Sequence, residues 1–303
     1  MPELPDIEVY LHALRPRVLG AVCAGVRVGN PFVVRSVEPP LDAFAGAVVT
    51  GLGRLGKRIV LSFEGDLHLV IHLMIAGRLQ WRPPMAKLPR RLALAGFDFP
   101  EGTLVLTEAG TKRRASLHAV RGAEALRAHD PGGLEVLEAS EEAFAEALTR
   151  NNHTLKRALT DPRILSGIGN AYSDEILHHA RLSPVTLTSR LTPEALARLR
   201  ASTLHVLRGF TARMLAEVGE GFPEKVTAFR ADMAVHGRFG APCPDCGSAV
   251  QRIVHGAHET NYCPTCQNGG RLLADRALSK LLRKDWPRTA EEMEARLGPP
   301  GSG

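Results

Sequence analysis

The sequence predicts a multidomain chain of mixed α and β structure: a mostly β N-terminal domain behind one leading helix, a helical middle domain, and a four-cysteine hairpin near the end. Three observations lead there. Short β-branched runs broken by Gly and Pro fill residues 18–106, the apolar period turns helical after residue 140, and four of the five cysteines gather between 243 and 266. With 303 residues the chain can build more than one core, and at 44% hydrophobic but only 5% aromatic residues those cores must be made of Leu, Val, Ala and Ile. Lys and Arg outnumber Asp and Glu by 38 to 32, for a net charge of +6. Such a balance suits a phosphate-rich partner.

Each element has its own signal. Ile7, Leu11 and Leu14 recur at helical spacing and predict a helix over 5–19, in a segment whose Glu3, Asp6, Glu8, His12, Arg15 and Arg17 exclude a signal peptide or a membrane span. A cytoplasmic, monomeric protein with no membrane partner is expected. The runs Val26–Val28, Val33–Val34, Val48–Thr50, Ile59–Phe63 and Leu67–Ile71 have the close spacing of a β-sandwich or barrel. DPGGLEVLEAS at 130–140 reads as a linker. Ser140 then precedes a helical run, Thr192 and Glu194 open a helix over 193–217, and 153–184 reads as helix, a turn around Gly167 and Gly169, and helix. The expected domains are 1–130, 131–235, 236–270 and an extension over 271–303. There is no internal repeat, and only the GPPGSG end is of low complexity.

Cys243, Cys246, Cys263 and Cys266 read CxxC, sixteen residues, CxxC. Each pair lets two thiolates reach one ion from a tight knuckle, and two knuckles complete a closed tetrahedral zinc site. A closed site holds structure and does no chemistry, so one structural Zn²⁺ is expected to brace a β-hairpin. Cys23, alone in the β region, is expected to be a buried small hydrophobe. Arg252, His255 and His258 lie between the knuckles, either as a solvated polar surface or as cations for phosphate.

The motifs MPELPDIE, GKRIVL, HLMIAGRL and LSGIGNAYSDEIL, followed by the four cysteines, stand in this order over residues 1–270. In these motifs the chain resembles the formamidopyrimidine-DNA glycosylase and endonuclease VIII family. The resemblance implies an N-terminal β-sandwich, a helix-two-turn-helix domain and a zinc-finger hairpin. It also implies a bifunctional glycosylase and abasic-site lyase acting on damaged double-stranded DNA. Pro2, exposed by removal of Met1, is then the nucleophile that forms a Schiff base. An α-amine has a reference pKa of about 7.7–8 against about 10.4 for lysine, so near neutrality far more of it is free to attack. Glu3 is placed to shuttle protons at the sugar, and Asp6 stands where the family often has Glu. Lys57 and Asn170 match residues that grip phosphates beside the lesion. Glycines before Asn170 allow backbone N–H groups to approach phosphate at a helix start. Arg113 and Arg114 are candidate further phosphate contacts.

The chain also departs from the family pattern. HLMI places Met74 and Ile75 where wedge residues fill the void left by a flipped base, and RRAS has Ala115 where Phe is usual. His258 replaces the finger's arginine, leaving Arg252 and His255 as its possible substitutes. EGFPEKVTAFRADMAVHGR is short for a loop that covers flipped 8-oxoguanine. The segment RLLADRALSKLLRKDW reads as a basic amphipathic helix, expected to pack on the helical domain or else to touch DNA. Two other functions stay open: a non-catalytic damage binder, and a member specialised for bulky alkyl adducts or interstrand crosslinks.

Overall fold

The structure is a computed structural model and describes residues 1–110, 112–224, 226–227, 229–255, 258–274, 287, 289 and 292. It divides into two compact units, one of Met1–Gly133 with Arg208–Ala228 and the other of Leu134–Leu207 with Phe229–Gly303.

The first unit begins with helix α1 (Leu4–Val18), whose Ile7, Tyr10, Leu11, Leu14 and Val18 are buried. Eight strands follow: β1 (Gly25–Val28), β2 (Val49–Leu55), β3 (Arg58–Phe63), β4 (Leu67–His72), β5 (Gly77–Arg82), β6 (Ala93–Phe99), β7 (Gly102–Glu108) and β8 (Ser116–Arg121). They form two antiparallel four-stranded sheets, ordered β1-β6-β7-β5 and β2-β3-β4-β8. One apolar core takes Ile59, Leu61, Leu69, Ile71 and Leu117 from one sheet and Leu79, Phe97, Leu104 and Leu106 from the other, with α1 packed into it. The N-terminal region is therefore a sandwich, the alternate residues of each strand pointing into the shared core. Cys23 is fully buried in it, as expected.

Two local expectations change. Val33 lies in a 3₁₀ turn, Pro31–Val33, because Asn30 caps the segment by accepting from the Phe32 N–H and Pro31 cannot donate to a strand ladder. Residues 208–228, expected in the helical domain, pack with the sandwich. Phe222 meets the rings of Tyr10 and Trp81 at 5.9 and 6.4 Å, Val226 joins the core, and Arg17 donates to the Glu220 carbonyl at 2.7 Å. Burying apolar groups of this size is worth roughly 1.5–3 kcal/mol each, more than a linker's sequence position decides.

A short helix, α2 (Ala123–Arg127), ends this part of the chain. The second unit holds α3 (Glu141–Thr149), α4 (Leu155–Thr160), α5 (Asn170–His179) and the first part of α6 (Pro193–Val218). The Ser140, Thr154 and Thr192 hydroxyls accept from the N–H groups of Ala143, Arg157 and Ala195, capping α3, α4 and α6. The finger follows as strands β9 (Gln251–His255) and β10 (His258–Tyr262) with α7 (Pro264–Asn268). No described helix is long and apolar enough to cross a membrane.

Candidate active site and nucleic-acid contacts

The candidate catalytic residues lie at the start of α1. Pro2 is buried, and Glu3 at the N-cap and Asp6 one turn on are 2% and 1% exposed. Pro5 fits the first turn, where a missing N–H costs nothing. The Glu3 N–H donates to Asp6 Oδ2 at 2.8 Å, closing the turn. Asp6 Oδ1 is buried with no hydrogen-bond partner among the described residues. Burial pushes the Asp6 carboxyl up to about 7, with the Glu3 charge adding to the rise and the Glu3 N–H opposing it. Burial also holds the Met1 α-amine below its ordinary value, where Arg78 and Lys57 depress it further and Glu3 and Asp6 oppose them. Removal of Met1 would leave the Pro2 nitrogen as the amine of this corner, beside two carboxyls and two cations, where nucleophilic attack would have proton transfer at hand.

Tertiary bonds hold this corner. The Leu79 N–H donates to the Tyr10 hydroxyl at 3.2 Å, tying β5 to α1 and bringing its neighbour Arg78 to the helix start. Lys57 sits in the two-residue turn between β2 and β3, opened by Gly56 at φ +59°. Arg78 was not among the sequence candidates; its only signal was the GRL stretch after HLMIA. Its guanidinium donates to the Gly77 and Ile75 carbonyls at 2.7 and 3.2 Å and so braces the turn that carries Met74 and Ile75. Met74 is in the left-handed region at φ +52°, and any side chain at Gly77 collides with the Leu73 backbone. Ile75 is 58% exposed. Ala115 instead lies in the core at 3% exposure. Arg113 and Arg114 are exposed on the loop before it. The buried Glu108 carboxylate shapes that loop by accepting the N–H groups of Arg114 and Ala115 at 2.9–3.1 Å, and the Arg113 guanidinium donates to the Arg91 carbonyl.

In the second unit α5 is the hub. Asn170 opens it, and its side-chain amide donates to the Glu259 carbonyl of β10 at 2.8 Å, so this candidate is joined to the finger hairpin. Lys156 on α4 donates to the Asn170 carbonyl, Ser173 Oγ and Asp174 Oδ1 at 2.7, 2.8 and 2.5 Å. Asp174 Oδ2 is 2.8 Å from His236 Nδ1 and accepts the Asn261 N–H at 3.1 Å. Glu175 accepts three backbone N–H groups, from Ala234, Val235 and His236, at 2.7–2.9 Å. Sequence reading missed Lys156, Asp174 and Glu175, because DE inside a helix looks like an ordinary solvated pair until its partners arrive, from 18 to 87 residues away.

On the hairpin, Arg252 is 45% exposed, bonded to Glu259 at 3.2 Å and stacked over the Phe239 ring at 4.3 Å. His258 pairs with His255 in the strand register, and the side chains of both lie outside the described residues. The amphipathic helix expected after residue 271 also falls almost wholly outside them; Leu273 N–H donates to the Tyr262 hydroxyl at 2.8 Å.

The four cysteine sulfurs all lie within 4.8 Å of one another, with Cys243 to Cys266 at 3.9 Å and Cys246 to Cys263 at 3.4 Å. Zinc–sulfur bonds of about 2.3 Å at tetrahedral angles set sulfurs about 3.8 Å apart, so this donor set fits the ion. The knuckles are formed locally: Cys243 N–H donates to the Ser248 carbonyl at 2.8 Å, and Cys263 caps α7 by accepting the Cys266 N–H at 3.4 Å.

Comparison with known proteins places this architecture. Three family models match: the formamidopyrimidine-DNA glycosylase N-terminal domain over residues 1–129, the H2TH domain of the same glycosylase over 133–213, and the zinc finger found in FPG and IleRS over 240–269. The chain is 32% identical over 277 residues to the formamidopyrimidine-DNA glycosylase of Chloroflexus aurantiacus, covering 88% of this chain and 98% of that one. It is 33% identical over 286 residues to that of Thermus thermophilus, covering 89% and 100%. Among solved structures, the Lactococcus lactis enzyme non-covalently bound to DNA containing an AP site has a TM-score of 0.76 at 22% identity, covering 88% of this chain and 99% of that one. The same enzyme with DNA containing an oxidised pyrimidine has a TM-score of 0.76 at 23% identity, covering 88% and 100%. The chain belongs to the formamidopyrimidine-DNA glycosylase family.

Proposed function

We propose that this DNA glycosylase of base excision repair is bifunctional, releasing damaged bases from double-stranded DNA through Pro2 and cutting the abasic site it leaves. The observation that carries the reading is the buried α1 start, where Pro2, Glu3 and Asp6 stand together under the charges of Arg78 and Lys57. With Met1 removed, the Pro2 nitrogen attacks C1′ of the flipped nucleotide, the bond to the base breaks, and the base leaves with a proton. The C1′–O4′ bond then opens, with O4′ taking a proton, and the Pro2 nitrogen's electron pair forms an iminium whose positive charge acidifies the 2′ proton. Its loss expels the 3′ phosphate, a further elimination expels the 5′ phosphate, and water then frees the amine. Glu3 moves these protons, and Asp6, titrating at about 7, holds one in reserve beside it.

Lys57, Arg113, Arg114, Asn170, Arg252 and His258 are the proposed phosphate contacts, and Ile75 with Met74 the wedge. Zinc, held by Cys243, Cys246, Cys263 and Cys266, keeps the β9–β10 hairpin folded and takes no part in the chemistry. Specialisation for bulky adducts is the second reading. Ala115 supports it, because a buried alanine adds no apolar group to the void left by the flipped base.

Borohydride trapping on an abasic-site duplex tests the main reading. Wild type gives a covalent band, with Met1 absent by intact mass, and Pro2→Gly and Glu3→Gln weaken it. No band from a protein whose N-terminus is Pro2 and whose zinc is bound removes the lyase step and leaves a monofunctional glycosylase or a damage binder. A panel of oxidised pyrimidines, formamidopyrimidines, 8-oxoguanine and alkylated crosslinks then separates the substrate readings.

A further inference from the structure

We propose that the zinc centre has a second, overlapping ligand set, Cys243, Cys266, His178 and Asp245, which keeps the ion when Cys246 is lost. The proposal rests on the zinc reading above. His178 Nε2, near the end of α5, lies 3.3 Å from Cys243 Sγ and 3.6 Å from Asp245 Oδ2, and the Cys243 and Cys266 sulfurs are 3.9 Å apart. All four donor atoms of this set lie within 4.8 Å of one another. Zinc bonds of about 2.0–2.3 Å at tetrahedral angles set neighbouring ligands about 3.3–3.8 Å apart, so these three spacings are close to those of a coordination shell. Imidazole, carboxylate and two thiolates are all donors that zinc accepts.

The second set is also held in place. The His178 side chain is 5% exposed, and Arg181 bonds Asp245 Oδ2 at 2.8 Å. Arg181 reaches it from a left-handed backbone position, φ +56°, that a non-glycine residue seldom adopts. With its ring proton on Nε2, His178 donates to the Cys243 thiolate; with the proton on Nδ1, the Nε2 lone pair faces the ion. Cys246 is the exposed member of the four cysteines, whereas Cys243 and Cys263 are buried and Cys266 is partly so. It is the thiolate that an oxidant, alkylating agent or competing metal reaches first. The second set keeps the ion on Cys243 and ties it to the helix that carries Asn170.

The test uses the full chain as wild type, His178→Ala, Cys246→Ser, and Cys246→Ser with either His178→Ala or Asp245→Asn. Zinc content is measured after gel filtration, and affinity by competition with a colorimetric chelator. Wild type and His178→Ala are expected to hold one equivalent. Cys246→Ser is expected to keep it with an affinity reduced by at least the roughly 10–100-fold that loss of an outer-shell partner costs. Adding Asp245→Asn weakens it further, and adding His178→Ala releases it. In the cobalt-substituted Cys246→Ser protein the sulfur-to-cobalt absorption falls and the d–d bands move, as nitrogen and oxygen replace sulfur. Loss of zinc from Cys246→Ser while wild type is loaded overturns the second ligand set alone, as does equal retention with and without His178. A wild type that binds no zinc overturns the zinc reading and this proposal with it. Should Cys246→Ser misfold, alkylation of Cys246 in the folded wild type and in His178→Ala makes the same comparison: zinc stays in the first and leaves the second.

Discussion

Asp6 at the start of α1 and Asp174 in α5 are both 1% exposed, and the two units treat them in opposite ways. Asp174 is saturated: Lys156 donates to one oxygen, and the Asn261 N–H and the His236 ring meet the other. Asp6 accepts one backbone N–H, its second oxygen is unpartnered among the described residues, and burial lifts it to about 7. A buried carboxyl with both oxygens hydrogen-bonded is a fastener, because its partners offset the cost of desolvation. A buried carboxyl left short of donors is destabilised as an anion, so it is poised to carry a proton near neutrality. The difference sets a fully paired carboxyl in α5 against one short of partners at the α1 start, where the proposed chemistry lies.

Breaking Asp174 is expected to have the larger effect. Asp174→Ala leaves Lys156 and His236 without their acceptor and costs the second unit about 3–5 kcal/mol, read by denaturant unfolding with a probe in that unit. The first unit's transition should stay in place, since its core has no part in that network.

Asp6→Asn acts with the opposite sign. The folded carboxyl titrates at about 7 against an ordinary value of 3.8, so between those pH values the native state binds the extra proton. Wild-type stability therefore falls as pH rises from about 4 to 7, by up to about 4 kcal/mol, and Asp6→Asn abolishes that slope. The measurement is the difference between the two stability–pH curves; parallel curves would put the carboxyl back in its ordinary range. The same variant should slow base release while leaving DNA affinity nearly unchanged.

Arg252→Ala is smaller again. It should lower the steepness of the salt dependence of duplex binding by about one phosphate contact, and an unchanged slope would assign Arg252 to its stack on Phe239 alone. Ile75→Ala is the mildest for folding, within about 0.5 kcal/mol for an exposed residue, yet it should reduce excision by removing the wedge.

Much of this was legible in the chain. The β runs, the helical period after Ser140 and the paired CxxC knuckles are local patterns with local causes, and apart from Val33–Val34 each formed close to where it was read. The prolines and carboxylates of the PELPDIE opening also suit an ordinary helix start, so it pointed to candidate catalytic residues only through the family resemblance. The sequence by itself determined which residue types were available and in what order. Only the tertiary structure decided that Phe222 and Val226 belong to the sandwich core, that Ala115 is buried and Ile75 exposed, and that Arg78 bears on the terminal amine. It also decided that Asp174 is a fastener and Asp6 is not, since each partner but one arrives from a distant segment. Burial and long-range pairing set a carboxyl's free energy, and neither is a property of its neighbours in sequence.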